Sequence, residues 1–165
     1  MPQLSGRCRT RAPTATGVRA FTLLELVIVL VIVAMLGAMA VPRYVQAVAR
    51  NRLDAAANRL VADLTLARRR AIAQSRSQKV GFDVSTESYN FAGIADFAHP
   101  DGTYTVSLAA EPYLANIESA DCGGDATLIF NGFGYPDSAA TIQLVVGNEK
   151  RSVVVDATTG GVSAP

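Results

Sequence analysis

The chain has 165 residues, half of them hydrophobic, and a formal net charge of +1. This length provides one globular domain with a modest core. With two cysteines, Cys8 and Cys122, and one histidine, His99, we expect neither an intrachain disulfide nor a Cys/His zinc cluster.

Charge is distributed unevenly along the chain. Residues 1–20 contain four arginines and no acidic residue, so removing them leaves 11 basic residues against 14 acidic ones. Residues 43–79 contain nine basic and two acidic residues, whereas residues 80–149 contain ten acidic residues and no Lys or Arg. This pattern predicts a basic stalk and an acidic head.

An apolar run follows the basic leader. Among residues 21–41 the only polar side chains are Thr22 and Glu25, and Pro42 ends the run. At about 1.5 Å per helical residue the run is roughly 32 Å long, enough to cross the hydrocarbon core of a bilayer. We therefore expect a leader at 1–20 and a transmembrane helix at 21–42. Glu25 is unusual in such a segment, because a charge at mid-bilayer costs about 2.5–3.5 kcal/mol.

Helical periodicity resumes after Pro42 and predicts an amphipathic helix at 43–77, which the resemblance described below places in the periplasm. Apolar residues recur at alternating spacings of four and three and form one stripe, consisting of Leu53, Ala57, Leu60, Leu64, Ala67 and Ala71. Together with the apolar run this gives one helix of roughly fifty residues, which we expect to bend near Pro42 and to end near Gln74 or Ser75.

The remaining residues, 78–165, read as a β-rich globular head. Period-two patterns predict strands at 79–83, 87–91, 103–108, 127–130, 141–146 and 151–155, with a short terminal strand from Val162. Residues 99–102, 147–150 and 158–161 have the composition of turns. The sequence thus predicts an α+β fold, a long N-terminal helix packed on an antiparallel β-sandwich-like head.

The segment Ala20-Phe21-Thr22-Leu23-Leu24-Glu25-Leu26, after a basic leader and before about 16 uncharged residues and Pro42, resembles the processing site of type IV pilins and type II secretion pseudopilins. The resemblance implies cleavage by a prepilin peptidase between Ala20 and Phe21, N-methylation of Phe21, and a role for Glu25 in assembly. It also implies a helix that can locally melt at Pro42. The family usually has Gly where this chain has Ala20.

Four further segments resemble the branch of minor pseudopilin H and the related FimT-type pilins. They are Leu66-Ala67-Arg68-Arg69-Arg70-Ala71-Ile72-Ala73, Val80-Gly81-Phe82, Leu128-Ile129-Phe130-Asn131-Gly132-Phe133-Gly134-Tyr135-Pro136 and Thr159-Gly160-Gly161-Val162. The resemblance implies a minor pseudopilin of type II secretion near the pseudopilus tip. The alternative is a FimT-type minor pilin of type IV pili, in pilus biogenesis or DNA uptake.

The resemblance also implies partners and a location. The partners are the prepilin peptidase, other minor and major pseudopilins, the inner-membrane assembly platform and secreted cargo. The chain is expected to cross the bacterial inner membrane once, with its N-terminus cytoplasmic and its head periplasmic. The leader arginines favour this orientation, although the basic residues after Pro42 oppose it.

Other candidate sites have weaker patterns, and no enzyme, cofactor or metal site is expected. The run at residues 68–70 fits nucleic acid or anionic lipid, or pairing with the acidic head, but the C-terminal tail has no basic residue after Arg151, which disfavours DNA binding. The segment 121–125 lacks the ligand density of an EF-hand, and 131–134 lacks the Lys-Ser/Thr of a phosphate loop. His99 reads as a surface residue, and Cys122 as a small residue in a loop or a thiol for an intermolecular bridge.

Overall fold

The computed structural model describes residues 21–95 and 103–165. One helix, α1 (Leu23–Gln74), is followed by eight strands. The strands are β1 (Gln78–Asp83), β2 (Ser88–Ala95), β3 (Thr103–Ser107), β4 (Asn116–Asp121), β5 (Thr127–Phe130), β6 (Ala140–Val146), β7 (Glu149–Val155) and β8 (Val162–Ser163). The predicted leader, Ala20 and the predicted turn at 99–102 lie outside the described residues.

Two compact units divide the chain, residues 1–40 and residues 41–165. In the first unit the described residues are the N-terminal part of α1, and its large apolar side chains are exposed. This helix is long and apolar enough to cross a membrane, with a mean hydropathy of 2.8 in its most apolar window and none of that window buried.

The end of α1 agrees with the sequence prediction. The helix stops at Gln74, and Ser75 follows with a left-handed φ of 49°. The Arg76 amide donates to the Ala71 carbonyl and the Ser75 amide to the Ile72 carbonyl, both at 3.1 Å. These bonds satisfy carbonyls in the last turn and close the helix, in the way a C-terminal capping turn does.

The second unit contains two antiparallel four-stranded sheets, ordered β3-β2-β1-β5 and β4-β6-β7-β8. Gly147 and Asn148 form a two-residue turn between β6 and β7, so β7 begins two residues earlier than the pattern indicated. Strand β4 was not predicted. Its sequence Asn-Ile-Glu-Ser-Ala-Asp buries only Ile117, since β4 is an edge strand with a register shift between Ile117 and Ser119.

One core joins both sheets to the second part of α1. The predicted helical stripe is confirmed, because all six of its residues are at most 3% exposed. The strands contribute most of the other large buried side chains, which are Tyr89, Phe91, Phe130, Ile117, Leu128, Ile142 and Leu144, and Leu108 adds one just after β3. Burying such side chains provides the main favourable free energy of folding, at about 1.5–3 kcal/mol each. The predicted α+β class is therefore confirmed.

A polar network crosses this core between α1 and the sheet of β2 and β3. Asp63 is only 6% exposed, and its Oδ2 accepts hydrogen bonds from the Tyr89 hydroxyl at 2.7 Å and from Arg59 Nε at 2.9 Å. Arg59 also donates to the Tyr104 hydroxyl at 2.5 Å. Burial raises the pKa of Tyr89, and the Asp63 carboxylate raises it further, so Tyr89 remains a proton donor. Burial lowers the pKa of Arg59, but Asp63 and Tyr104 more than compensate, and Arg59 stays charged.

We expect Asp63→Asn to reduce the free energy of unfolding by about 2 kcal/mol, because it weakens two charge-assisted hydrogen bonds in a buried position. Asp54→Asn is the matched control. Asp54 lies on the same helix and pairs with Arg151 at 2.8 Å, but its side chain is 45% exposed, so its loss should cost less than about 1 kcal/mol. Chemical denaturation of the full chain in detergent micelles measures both. Equal losses would show that the Asp63 network does not secure the helix.

Candidate functional site

The N-terminal end of α1 carries the residues that the sequence assigns to processing and assembly. Thr22 caps the helix: its hydroxyl oxygen accepts a hydrogen bond from the Glu25 amide at 3.1 Å, and its carbonyl accepts one from the Leu26 amide at 3.1 Å. Phe21 precedes the cap and is 78% exposed. An amino group at Phe21 would therefore lie outside the helical hydrogen-bond pattern.

Glu25 is exposed in the first turn of α1, three residues after the cap. The positive end of the helix dipole stabilises a carboxylate at this position by about 0.3–1 kcal/mol. Among the described residues, no cation lies within salt-bridge distance of it. The carboxylate is thus oriented and accessible for a cation outside this part of the chain.

Thr22 is a functional residue that the sequence interpretation passed over. The sequence contains a pattern that predicts this cap, because Thr-x-x-Glu at residues 22–25, ahead of an apolar run, is typical of a capping box. The cap fixes where the helix begins, and so it sets the position of Glu25 in the first turn.

Pro42 lies within α1, which continues through it to Gln74. Because proline has no amide hydrogen, the helix lacks one internal hydrogen bond at this position. The predicted bend and local melting at Pro42 stay predictions.

The three arginines at 68–70 do not act as one basic patch. Arg68 donates through Nε to the Gly134 carbonyl at 3.0 Å and through its terminal nitrogen to the Thr159 carbonyl at 2.7 Å. It therefore joins α1 to two loops, which we call the motif loop (residues 131–136) and the terminal turn (residues 156–161). Arg69 is exposed and Arg70 is half-buried. Arg68 thus has a structural role, because it holds the two loops against α1. The sequence interpretation did not include this role.

The contacts between α1, the motif loop and the terminal turn explain why Gly134 and Gly160 are glycines. Gly134 has a φ of 83°, and a Cβ on it would come within 2.6 Å of the Ile72 side chain. Gly160 has a φ of 65°, and a Cβ on it would overlap the Gly134 carbonyl oxygen. Asn131 shapes the motif loop, because its Oδ1 accepts hydrogen bonds from the amides of Phe133 at 3.0 Å and Tyr135 at 3.1 Å. These residues hold the loops against α1, and the two glycines allow backbone conformations and close approaches that a side chain would hinder.

The motif loop presents two aromatic side chains to the outside. Phe133 is 82% exposed and Tyr135 is 49% exposed. Because Asn131 and Arg68 fix the backbone beneath them, both aromatic rings project from an ordered loop. Rigid exposed aromatic residues are common in protein-protein contacts.

Cys122 is buried and is a free thiol. Burial raises its pKa to about 12, with smaller contributions from the carboxylates of Asp125, Asp137 and Asp121. The thiol therefore stays protonated and unreactive at neutral pH, which agrees with the prediction of a small packed residue and disfavours an intermolecular bridge.

The acidic residues of 121–125 use their oxygens locally. Asp121 Oδ1 accepts a hydrogen bond from the Gly124 amide at 2.9 Å, and Asp125 Oδ1 accepts one from the Thr127 amide at 2.8 Å. Within residues 21–95 and 103–165 no group of His, Cys, Asp and Glu is arranged to hold a metal ion.

Solved structures share this fold. The chain aligns with the minor pseudopilin EpsH of the Vibrio cholerae type 2 secretion system at 18% identity and a TM-score of 0.53, covering 69% of this chain and 96% of that one. It aligns with the type IV minor pilin FimU of Pseudomonas aeruginosa at 20% identity and a TM-score of 0.50, covering 70% of this chain and 94% of that one. At these identities the likeness concerns the fold. No curated protein matches the chain.

The model of the family described as type II transport protein GspH matches residues 56–161. The match spans the last part of α1 from residue 56, strands β1 to β7, the motif loop and the terminal turn. It covers well over half of the chain and includes the junction that Arg68, Gly134 and Gly160 form. The chain therefore belongs to the GspH family of type II transport proteins.

Proposed function

We propose that this chain is a minor pseudopilin that is inserted in the inner membrane, trimmed before Phe21 and incorporated near the tip of a pseudopilus to support protein secretion. One observation carries the proposal: a head of the GspH family follows a helix whose most apolar window has no buried residue. A soluble protein would bury such a surface, so a bilayer or other pilin helices must cover it.

Cleavage between Ala20 and Phe21 would create a cationic partner for Glu25, which has none among the residues that the structure describes. Phe21 lies just outside the Thr22 cap, so its new amino group would not be needed by the helix. In low dielectric an unpaired carboxylate is costly, and a neighbouring subunit's N-terminal amine would compensate it. Because each subunit would carry one amine and one carboxylate, this pairing would also set the register between subunits.

The head would provide contacts with other subunits. The family implies interaction with other pseudopilins, and the exposed rings of Phe133 and Tyr135 suit such contacts. The prepilin peptidase would act on residues 20 and 21, and the inner-membrane platform would assemble the trimmed subunit. The four leader arginines favour a cytoplasmic N-terminus and a periplasmic head.

The alternative is a FimT-type minor pilin of a type IV pilus, and the likeness to FimU is compatible with it. A role in DNA uptake would need a basic surface. Arg68 is occupied by two carbonyls, and the carboxylates of β4 and the loop that follows it would repel phosphate. We therefore place type II secretion first.

Processing can be tested by mass spectrometry of the protein purified from membranes of cells that contain a prepilin peptidase. We expect an N-terminus at Phe21 that is heavier by one methyl group, because the leader and the apolar run resemble a processing site. Ala20→Gly, which restores the residue usual in the family, should give the same N-terminus. A chain that begins elsewhere would contradict the proposed cleavage.

Assembly can be tested at Glu25. Glu25→Gln keeps the size of the side chain and removes its charge, so we expect incorporation into pseudopili to fall by at least about tenfold, because a low-dielectric charge pair is lost. Glu25→Asp should retain part of the function. Glu118→Gln is the matched control in the head, where the carboxylate is exposed and pairs with Lys150. Incorporation of Glu25→Gln at the wild-type level, measured by co-purification with pseudopili, would refute the role of Glu25.

The alternative can be tested by gel shifts with the full chain in detergent micelles and duplex DNA at physiological salt. We expect at most weak binding, unchanged in Arg69→Gln. Tight binding that falls steeply as salt rises would indicate phosphate contacts and favour DNA uptake over secretion.

A further inference from the structure

The last turns of α1 and the motif loop together form a surface that combines aromatic, apolar and basic side chains. Phe133 is 82% exposed and Ile72 is 46% exposed. Arg69 and Arg76 are exposed as well. Arg69 and Ile72 are three residues apart on α1, so their side chains are neighbours on the helix surface. We call these four residues the docking face.

Close contacts between the motif loop and the end of α1 keep the docking face together. A Cβ on Gly132 would lie only 3.2 Å from the Arg76 amide nitrogen, so the loop backbone runs directly against the residues that follow the helix. Gly134 approaches the Ile72 side chain, where a Cβ would lie within 2.6 Å. Phe133 lies between these two glycines, and its backbone is therefore fixed next to the end of α1.

Hydrogen bonds close the motif loop around Phe133. The Asn131 amide donates to the Tyr135 carbonyl at 2.9 Å, and the Gly134 amide donates to the Asn131 carbonyl at 2.8 Å. The Phe133 amide donates to Asn131 Oδ1 at 3.0 Å, and Arg68 binds the Gly134 carbonyl from the helix. A loop that is already ordered loses little conformational entropy when a partner covers its aromatic ring, which favours binding.

The docking face has an excess of positive charge. Within residues 21–95 and 103–165 neither Arg69 nor Arg76 has a carboxylate at salt-bridge distance. Arg68, which binds two carbonyls, adds a further positive charge beside the loop. Asp137 and Asp156 follow the motif loop and begin the terminal turn, and the Oδ1 atom of each accepts hydrogen bonds from backbone amides. A complementary partner would therefore present carboxylates around an apolar patch.

We propose that the docking face binds an acidic patch on another pseudopilin subunit, with Phe133 and Ile72 against its apolar side chains and Arg69 and Arg76 paired with its carboxylates. This inference rests on the proposed function, since it takes the partner to be a subunit of the same pseudopilus. Aromatic and arginine side chains are the residue types that most often dominate the binding free energy of an interface. The planar guanidinium group also suits bidentate pairing with a carboxylate.

A second copy of this chain is a poorer partner, although its head is rich in acidic residues. Most carboxylates in the described part of the head already accept hydrogen bonds within the chain. Backbone amides bind Asp83, Glu87, Asp121 and Asp125, and cationic side chains bind Glu118 and Glu149. Nucleic acid is a poorer partner too, because these carboxylates remain negatively charged and would repel its phosphates.

The test uses the full chain in cells that contain the other subunits of the secretion system. A photoreactive benzoylphenylalanine takes the place of Phe133, which keeps an aromatic ring at this exposed position. After irradiation, mass spectrometry identifies the cross-linked protein and the cross-linked segment. We expect another pseudopilin, linked at a segment in which acidic residues outnumber basic ones.

Charge variants decide whether the two arginines contribute. Arg69→Gln with Arg76→Gln should lower the cross-link yield several-fold, because an exposed ion pair strengthens binding by up to about fivefold. Arg52→Gln with Lys150→Gln is the matched control. It removes the same charge from positions remote from the docking face, since Arg52 is about 26 Å from Arg69 along the helix and Lys150 is in the β6–β7 hairpin. The control should keep the wild-type yield.

A charge exchange separates recognition from a loss of stability. Arg69→Glu with Arg76→Glu should abolish the cross-link, and replacing the acidic residues of the cross-linked segment by lysine should restore it. An unstable head could not be rescued by a change in its partner. A yield that is unchanged in the Arg69→Gln, Arg76→Gln chain, or a partner segment without an acidic excess, would overturn the proposal.

The remaining outcomes distinguish this inference from its alternatives. A cross-link to a second copy of the chain, or to nucleic acid, in place of another subunit would overturn it in favour of that partner. A chain that begins at Phe21 and co-purifies with pseudopili, but cross-links to no other subunit from position 133, would overturn only this inference. A chain that never enters pseudopili would overturn the proposed function as well.

Discussion

The head depends on the burial of one stripe of α1. Leu53, Leu60 and Leu64, with the alanines between them, lose nearly all contact with solvent, and both sheets contribute to the same core. Asp63 lies in this stripe as its polar member, and Tyr89 and Arg59 satisfy it. Because a buried carboxylate is costly without partners, its network favours one placement of the helix on the sheet over neighbouring ones.

Three junctions join the rest of the head to the same helix. The ion pairs of Arg50 and Arg151 hold the β6–β7 hairpin near the beginning of this unit. The Asp63 network holds β2 and β3 in its middle. Arg68 holds the motif loop and the terminal turn near the end of α1. The helix is thus the element to which all three of these regions are joined.

Much of this was predictable, and the failures have physical causes. The helical stripe and most strands have strong periodicity, because one of their faces is buried. Strand β4 was missed because an edge strand buries little, and Ile117 is its only buried side chain. The role of Arg68 was missed because its partners are backbone carbonyls 66 and 91 residues further along the chain, which no local pattern reveals.

The sequence by itself determined the apolar run, the position of Glu25 after a basic leader, the helical stripe and the α+β class, since each depends on residue spacing within one segment. Tertiary structure alone decided the pairing of the strands, the partners of Asp63 and the burial of Cys122. These features join residues that are distant in sequence, and only packing brings them together. The beginning of α1 shows the same difference between sequence and structure. The Thr-x-x-Glu pattern is visible in the sequence, whereas the hydrogen bond to Thr22 and the exposure of Glu25 are seen only in the structure.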